Sequence, residues 1–163
     1  MKKWVLGLLS WSCASVLANQ TLLEVGTGLS TAITGAQPGV HVGASLPLGE
    51  SSFSAGIETG SYFFTTPEWG TYFPIQATLS ARFDLSEKAT FYLGISPGLG
   101  LVSFDNSLKP GGKDYSDTYF SFLIKPSFHL NLSDNQVLVF SPRFGTLNGN
   151  LLFAPIVGTA IPL

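Results

Sequence analysis

The side chains that could do chemistry are few and widely spaced. Histidine occurs only at His41 and His129, and acidic residues are scattered along the chain. Acid–base or nucleophilic catalysis needs such groups within hydrogen-bond reach of one another. The periodic segments described below predict that the two histidines lie near opposite ends of the fold. We therefore predict a non-enzymatic protein with no catalytic residue.

Candidate metal ligands are scattered as well. Zinc sites need clustered His, Cys or carboxylate groups, which the sequence does not provide. Asp105, Asp114 and Asp117 flank a long polar stretch that could bind a divalent cation, but a solvated loop is the favoured interpretation. No metal ion or other cofactor is predicted.

The remaining polar side chains of interest lie on one face of the periodic segments. If that face lines a closed tube, its charges must pair, because an unpaired buried charge costs several kcal/mol. By depth, Glu58, Lys125, Arg143 and Gln76 should lie near the middle of the tube. We predict an interior ion-pair and hydrogen-bond network that blocks passage, formed by Glu24, Glu58, Gln76, Arg82, Lys125, His129 and Arg143.

Period-two alternation of apolar residues defines the elements that must position these groups. In the clearest segment, Phe73, Ile75, Leu79 and Phe83 share one face, with more polar residues between them. Turn-forming residues separate the segments. We predict eight strands, at residues 21–33, 40–49, 52–65, 71–85, 90–104, 117–132, 136–147 and 151–163.

The N-terminus has the composition of an export signal. Lys2 and Lys3 precede an apolar run that is too short to span a membrane as a helix, and small residues end at Ala18. Cys13 invites a lipoprotein interpretation, but the preceding Ser10-Trp11-Ser12 lacks the expected aliphatic residue. We predict a signal peptide at residues 1–18 and one domain at 19–163.

The predicted mature domain has a composition that restricts both its partners and its surroundings. It lacks cysteine and carries six basic against ten acidic side chains, which excludes a nucleic-acid partner. Charged residues make up 11% of the whole chain, against about 25% in soluble domains, and the strands are long enough to cross a bilayer. With Gly and Ser on the less apolar face, we predict an all-β, eight-stranded antiparallel up-and-down transmembrane β-barrel.

Two features of the strands bear on this architecture. Pro97, Pro126, Pro142 and Pro155 fall near strand centres, where local bulges or bends are expected because proline lacks the N–H that a ladder needs. Outward phenylalanines gather towards the strand ends, which favours two aromatic girdles at the membrane borders. Their members are Phe53, Phe83, Phe91, Phe128 and Phe140 at one border, and Phe63, Phe73, Phe120, Phe144 and Phe153 at the other.

A separate aromatic group surrounds the second predicted outer loop. Tyr62, Phe64, Trp69 and Tyr72 are close together along the chain. They could contact lipopolysaccharide or a partner, and anchoring at the membrane interface explains them equally well.

Together, the export signal, the eight amphipathic strands, the short turns and the polar interior resemble the small outer-membrane β-barrels typified by outer-membrane proteins A and X. The resemblance implies a location in the bacterial cell outer membrane, insertion by the barrel assembly machinery, and contact with outer-membrane lipid and lipopolysaccharide. We expect a monomer that serves membrane integrity or surface interaction through its outer loops. The alternatives are a narrow channel for small solutes or ions, a lipid-modifying enzyme, and a soluble secreted barrel that binds an apolar ligand.

Overall fold

The computed structural model describes residues 21–31, 35–64, 69–105 and 115–163, so the predicted signal peptide lies outside it. Every element in these ranges is a β-strand, and no helix among these residues is long and apolar enough to cross a membrane. The strands are β1 Leu22–Ser30, β2 Gln37–Pro47, β3 Phe53–Phe64, β4 Trp69–Asp84, β5 Ala89–Asp105, β6 Tyr115–Ser133, β7 Gln136–Ser141, β8 Phe144–Leu147, β9 Asn150–Phe153 and β10 Ile156–Pro162.

Antiparallel pairing closes these strands into a barrel. Neighbours in the chain pair from β1 to β6, and β1 also pairs with β10. The pairs β7–β8 and β9–β10 each act as one barrel strand, because the register with their neighbours is the same on both sides of the interruption. The predicted eight-stranded antiparallel up-and-down barrel is therefore confirmed.

The two ends of the barrel differ. The terminal end carries Thr21 and Leu163, which are joined by a backbone hydrogen bond of 2.8 Å, and the turns at 48–52, 85–88 and 134–135. At the loop end, β1, β3 and β5 end and β2, β4 and β6 begin, and this end also carries the turn of Asn148 and Gly149. Both turn residues have a positive φ, which is the geometry of a tight Asn-Gly hairpin.

The apolar face of each strand points away from the barrel axis. Phe83, Leu93 and Ile124 are 49%, 46% and 48% exposed, whereas Lys125 is 7% exposed. A soluble barrel that binds an apolar ligand would have the reverse arrangement, with large apolar side chains inside and charges outside. The outer surface is therefore that of a transmembrane barrel, as the alternation predicted.

The prolines interrupt backbone pairing without changing the register, so bulges are absent at these positions, and the alternative expectation of bends there stays a prediction. Pairing lapses opposite Pro97 in the β4–β5 ladder and around Pro126 and Pro142 between β6 and the β7–β8 strand, and it resumes in the same register. Pro155 separates β9 from β10 in the same way. Among the described residues, the one register shift in these ladders lies between Asn131 and Ser133.

Hydroxyl side chains bridge two of the gaps. Where the β3–β4 ladder lapses at Pro74, the Thr59 hydroxyl donates to the Pro74 carbonyl at 2.7 Å. Across the β4–β5 gap, the hydroxyls of Thr78 and Ser96 are 3.0 Å apart. These hydrogen bonds connect the strands at positions where the wall of the barrel lacks backbone hydrogen bonds.

The ten outward phenylalanines face away from the axis as predicted. Nine are exposed, and Phe91 is half-buried between Phe83 and Phe128, at ring-centroid distances of 6.0 and 5.0 Å. Phe83, Phe91, Phe128 and Phe140 are direct partners on four adjacent strands. Their role as a girdle at a membrane border stays a prediction.

Candidate functional site inside the barrel

A buried carboxylate lies at the centre of the barrel. Strand β3 directs Glu58 inward because Ile57 and Thr59 occupy the outward phase of the strand. From the opposite wall, Lys125 Nζ lies 2.5 Å from Glu58 Oε2, and Arg143 Nη1 and Nη2 donate to Oε1 and Oε2 at 3.1 and 3.2 Å. All three side chains are buried. The Arg143 contact is bidentate, which is the strong form of a charge-assisted hydrogen bond.

Three further groups complete this ion-pair cluster, which consists of Glu24, His41, Glu58, Lys125, His129 and Arg143. Glu24 lies 3.7 Å from both Lys125 Nζ and His129 Nε2. Arg143 Nη2 lies 3.1 Å from His41 Nε2. With both histidines neutral, two carboxylates balance two cations, so the cluster can be buried without net charge.

A glycine leaves space for this cluster. Gly43 is the direct partner of Glu24 on one side and of Glu58 on the other. A Cβ atom there would lie 3.3 Å from both Glu58 Cβ and His41 Nε2. The sequence therefore places its smallest residue where three polar side chains converge.

The structure brings together five of the seven predicted network residues, Glu24, Glu58, Lys125, His129 and Arg143. Gln76 is the ladder partner of Glu58, but its side chain donates to Ser121 Oγ at 3.3 Å. Arg82 lies apart, near the terminal end, where its Nη2 is 2.6 Å from Asp84 Oδ1. His41 was not predicted as a member, although its inward phase on β2 was the available signal.

The loop-side half of the interior is mainly aromatic and aliphatic, with Ser30 and Gln37 also buried there. This aromatic plug consists of Tyr62, Phe64, Tyr72, Val102, Leu123, Leu147, Leu152 and Ala154, all buried. Tyr62, Phe64 and Tyr72 point inward, so their interpretation as interfacial anchors or lipopolysaccharide contacts is wrong. The reason is strand phase, because β3 and β4 place Phe63, Thr71 and Phe73 on the outside. The side chain of Trp69 lies outside the described part of the structure.

Glycines make room for the large side chains of the plug. The ring of Tyr62 covers Gly39 and Gly60, and a Cβ at Gly39 would lie 2.5 Å from its Cδ1 atom. The ring of Tyr72 covers Gly100 in the same way. These inward glycines therefore leave the space that tyrosine rings from neighbouring strands occupy.

A small polar cavity of about 30 Å³ lies on the terminal side of the Glu58–Lys125 pair. Its volume is enough for about one water molecule. A second cavity, of about 10 Å³, lies between Arg82, Tyr92 and Asn131 at the terminal end. The larger cavity is lined in part by Ser45, Ser54, Thr78, Ser80 and Ser127.

The histidine surroundings bear on catalysis. His129 Nε2 is 3.0 Å from Ser127 Oγ and 3.7 Å from Glu24 Oε1. A Ser-His-acid relay uses one ring nitrogen for serine and the other for the acid, whereas here both contacts involve the same nitrogen. Residues 94–98 also match the spacing Gly-x-Ser-x-Gly, but they lie within β5 instead of on a strand-to-helix turn.

Within the described ranges, no group of three or more His, Cys, Asp or Glu side chains is placed to hold a metal ion. Of the three loop aspartates, only Asp117 has a described side chain, and its Oδ2 accepts a hydrogen bond from the Tyr119 hydroxyl at 3.0 Å. The predicted solvated loop otherwise lies outside the described residues.

Solved structures of small bacterial barrels have the same fold. Neisserial surface protein A superposes with a TM-score of 0.64 at 14% identity, over 88% of this chain and 94% of that chain. Ail, the attachment invasion locus protein of Yersinia pestis, was crystallised with the heparin analogue sucrose octasulfate and gives 0.62 at 12% identity, over 88% and 97%. The N-terminal β-barrel domain of Pseudomonas aeruginosa OprF gives 0.56 at 11% identity, over 89% and 98%.

No family model and no curated protein matches the chain. At 11–14% identity, the similarity to the solved structures concerns the fold. The chain therefore has the architecture of the small outer-membrane barrels that its alternating strands resembled.

Proposed function

We propose that this chain is a non-enzymatic β-barrel protein of the bacterial outer membrane whose interior is closed by its own side chains. In this role it contributes to membrane integrity or to surface interaction through its loop end. The observation that carries the proposal is the contact of Glu58 with Lys125 and Arg143 across the barrel axis. The aromatic plug fills the interior on the loop side of this contact.

The location in a membrane is supported by the outer face. An ionised side chain that faces lipid at the midplane costs roughly 2–4 kcal/mol. The cluster charges instead lie within the barrel, and the exposed wall is apolar. We expect this surface to contact outer-membrane lipid and lipopolysaccharide in a monomeric barrel that the barrel assembly machinery inserts.

The closed interior is supported by the size of its cavities. The larger one, of about 30 Å³, ends at Lys125 and Glu58. Beyond that pair, Leu123 and Leu147 pack against the tyrosines of the plug. A continuous path for water would have to cross both layers, so we expect an ion-impermeable barrel instead of the alternative narrow channel.

Surface interaction at the loop end is the second part of the proposal. Ail is named as an attachment protein and was crystallised with a polysulfated ligand. The acidic excess of the predicted mature chain makes such a polyanion a poor fit here, so we expect a different class of surface partner.

Conductance in planar bilayers tests the closed interior. The purified, refolded protein should give no current steps above those of a bilayer without protein. A variant with Glu58→Gly, Leu123→Gly and Leu147→Gly, which removes side chains from both layers, serves as the positive control and should leak. Stable unitary currents from the unchanged protein would favour the channel instead.

Fractionation of expressing cells tests the location. The chain should be recovered with the outer membrane, and recovery in the soluble pool would contradict the location.

A further inference from the structure

Two prolines face each other between β6 and the β7–β8 strand. Ile124 pairs with Phe144 and Phe128 with Phe140, so Pro126 on β6 lies opposite Pro142 in the β7–β8 strand. Backbone pairing is absent between residues 125–127 and 141–143. We call these two facing segments the proline seam.

The phase of the ladder makes this gap costly. The Asn148 N–H donates to the Phe120 carbonyl at 2.9 Å, and hydrogen-bonded pairs of an antiparallel ladder recur every second residue. Pro126 and Pro142 therefore occupy a position where each residue would donate one bond to the other. Neither has an N–H, so two adjacent ladder bonds cannot form. One replacement is the Ser141 hydroxyl, which donates to the Pro126 carbonyl at 3.3 Å.

The seam also brings two like charges together. Lys125 and Arg143 are direct neighbours across it in the same register, and both point inward. Like charges directly opposite on adjacent strands destabilise the pairing. Glu58 reaches over from β3 and bonds both of them, one on each side of the seam.

We propose that Glu58 is a clasp that holds the proline seam closed. Its carboxylate joins β6 to the β7–β8 strand through Lys125 and Arg143, at the position where the backbone cannot join them. The ion pairs of the cluster therefore connect the two strands at the Pro126–Pro142 gap. When the clasp is broken, the barrel opens at this seam before it opens at the fully paired ones.

Glu24 provides a matched control. It is also an inward carboxylate of the cluster, but its contacts, Lys125 and His129, both lie on β6. Glu24→Gln removes the same charge as Glu58→Gln without removing a connection across the seam.

Amide hydrogen exchange of the full barrel in lipid nanodiscs tests the clasp. Glu58→Gln should raise exchange at the amides of Ile124, Phe128, Phe140 and Phe144, which point across the seam on either side of the gap, by about tenfold or more relative to the unchanged protein. The amides of the β1–β2 ladder, which is paired without a gap, should change much less. Glu24→Gln should leave the seam amides within about threefold of their original rates. An equal increase in all ladders, or an equal effect of the two variants, would overturn the proposal.

Restoring a backbone donor gives an independent test. Pro142→Ala supplies an N–H that can donate to the Pro126 carbonyl, so it should slow exchange at the seam and reduce the effect of a simultaneous Glu58→Gln change. If Glu58→Gln alone fails to fold, the double variant with Pro142→Ala should recover the folded barrel. Failure of that recovery, or an undiminished Glu58→Gln effect in the Pro142→Ala background, would contradict the clasp.

Discussion

On the terminal side of Glu58 the barrel interior is lined by hydroxyls and charges and contains small cavities, whereas on the loop side it is filled mainly by tyrosine, phenylalanine and leucine, beside the buried Ser30 and Gln37. The first half depends on pairing, because each buried charge requires its partner. The second half depends on close packing, because its side chains have little polar contact to lose. One narrow tube is thus closed by two kinds of physical interaction, and they should respond differently to substitution.

Glu58→Ala should cause the largest loss of stability. It leaves Lys125 and Arg143 buried without a carboxylate between them, so the free energy of unfolding should fall by about 3–5 kcal/mol. Urea unfolding of the barrel in lipid vesicles measures this loss. Combining Glu58→Leu with Lys125→Met, Arg143→Leu and Glu24→Gln should recover much of it, since no charge of the cluster is then left without a partner. A loss below about 1 kcal/mol for the single variant would show that the polar half does not depend on pairing.

In the aromatic plug, Leu123→Ala should act through a cavity. Leu123 is buried among the plug residues, and the truncation should lower the free energy of unfolding by about 2–5 kcal/mol. The same unfolding assay applies. Leu99→Ala is the matched control, because Leu99 is 50% exposed on the outer face, and its effect should be clearly smaller. Equal effects of the two variants would mean that the plug is not closely packed.

Added volume should be tolerated less well in the aromatic plug than in the polar half. A Cβ at Gly100 would lie 2.5 Å from Tyr72 Cε2 and 2.8 Å from Leu147 Cδ1, so Gly100→Ala should cost about 1–3 kcal/mol. At Gly43, in the polar half, the nearest atoms would be 3.3 Å away, and Gly43→Ala should cost less. The two midpoints of urea unfolding give the comparison, and the reverse order would contradict it.

The ion pair near the terminal end should matter least. Arg82 bonds Asp84, whose side chain is 61% exposed, so water competes for the contact. Arg82→Gln should change the free energy of unfolding by less than about 1 kcal/mol, and added salt should reduce the difference further. A loss as large as that from Glu58→Ala would place Arg82 in the same network as the cluster, contrary to the separation in the structure.

The sequence predicts the strands better than it predicts which inward side chains contact one another across the barrel. Alternation places the fourth strand at 71–85, against Trp69–Asp84 in the structure, and the sixth at 117–132, against Tyr115–Ser133. It also gives the inward phase of the cluster residues. These successes follow from the two-residue period, which depends only on the local chain.

Depth inside the barrel is harder to obtain from the sequence. Contacts across the axis depend on how register accumulates around all the strands, so a small error on one strand displaces every later one. For this reason the sequence does not show that His41 contacts Arg143, or that Arg82 lies apart from the network that its inward phase suggests. The predicted strands 52–65 and 71–85 give Tyr62 and Tyr72 the same inward phase as Glu58 and Gln76. Alternation alone does not show whether a tyrosine near a strand end fills the barrel or lies at the membrane interface, because that depends on its neighbours across the barrel.

The most direct test of the account is the environment of the outer face. Nitroxide labels at Leu93→Cys and Ile124→Cys, in the barrel reconstituted in lipid vesicles, can be compared for collision with oxygen, which concentrates in lipid, and with a water-soluble nickel complex. Frequent collision with oxygen and little with nickel is the predicted result, with a label at Glu50→Cys in the β2–β3 turn as the aqueous reference. Labels at Leu93 and Ile124 that are shielded from both reagents would contradict the account, because the apolar face would then be the core.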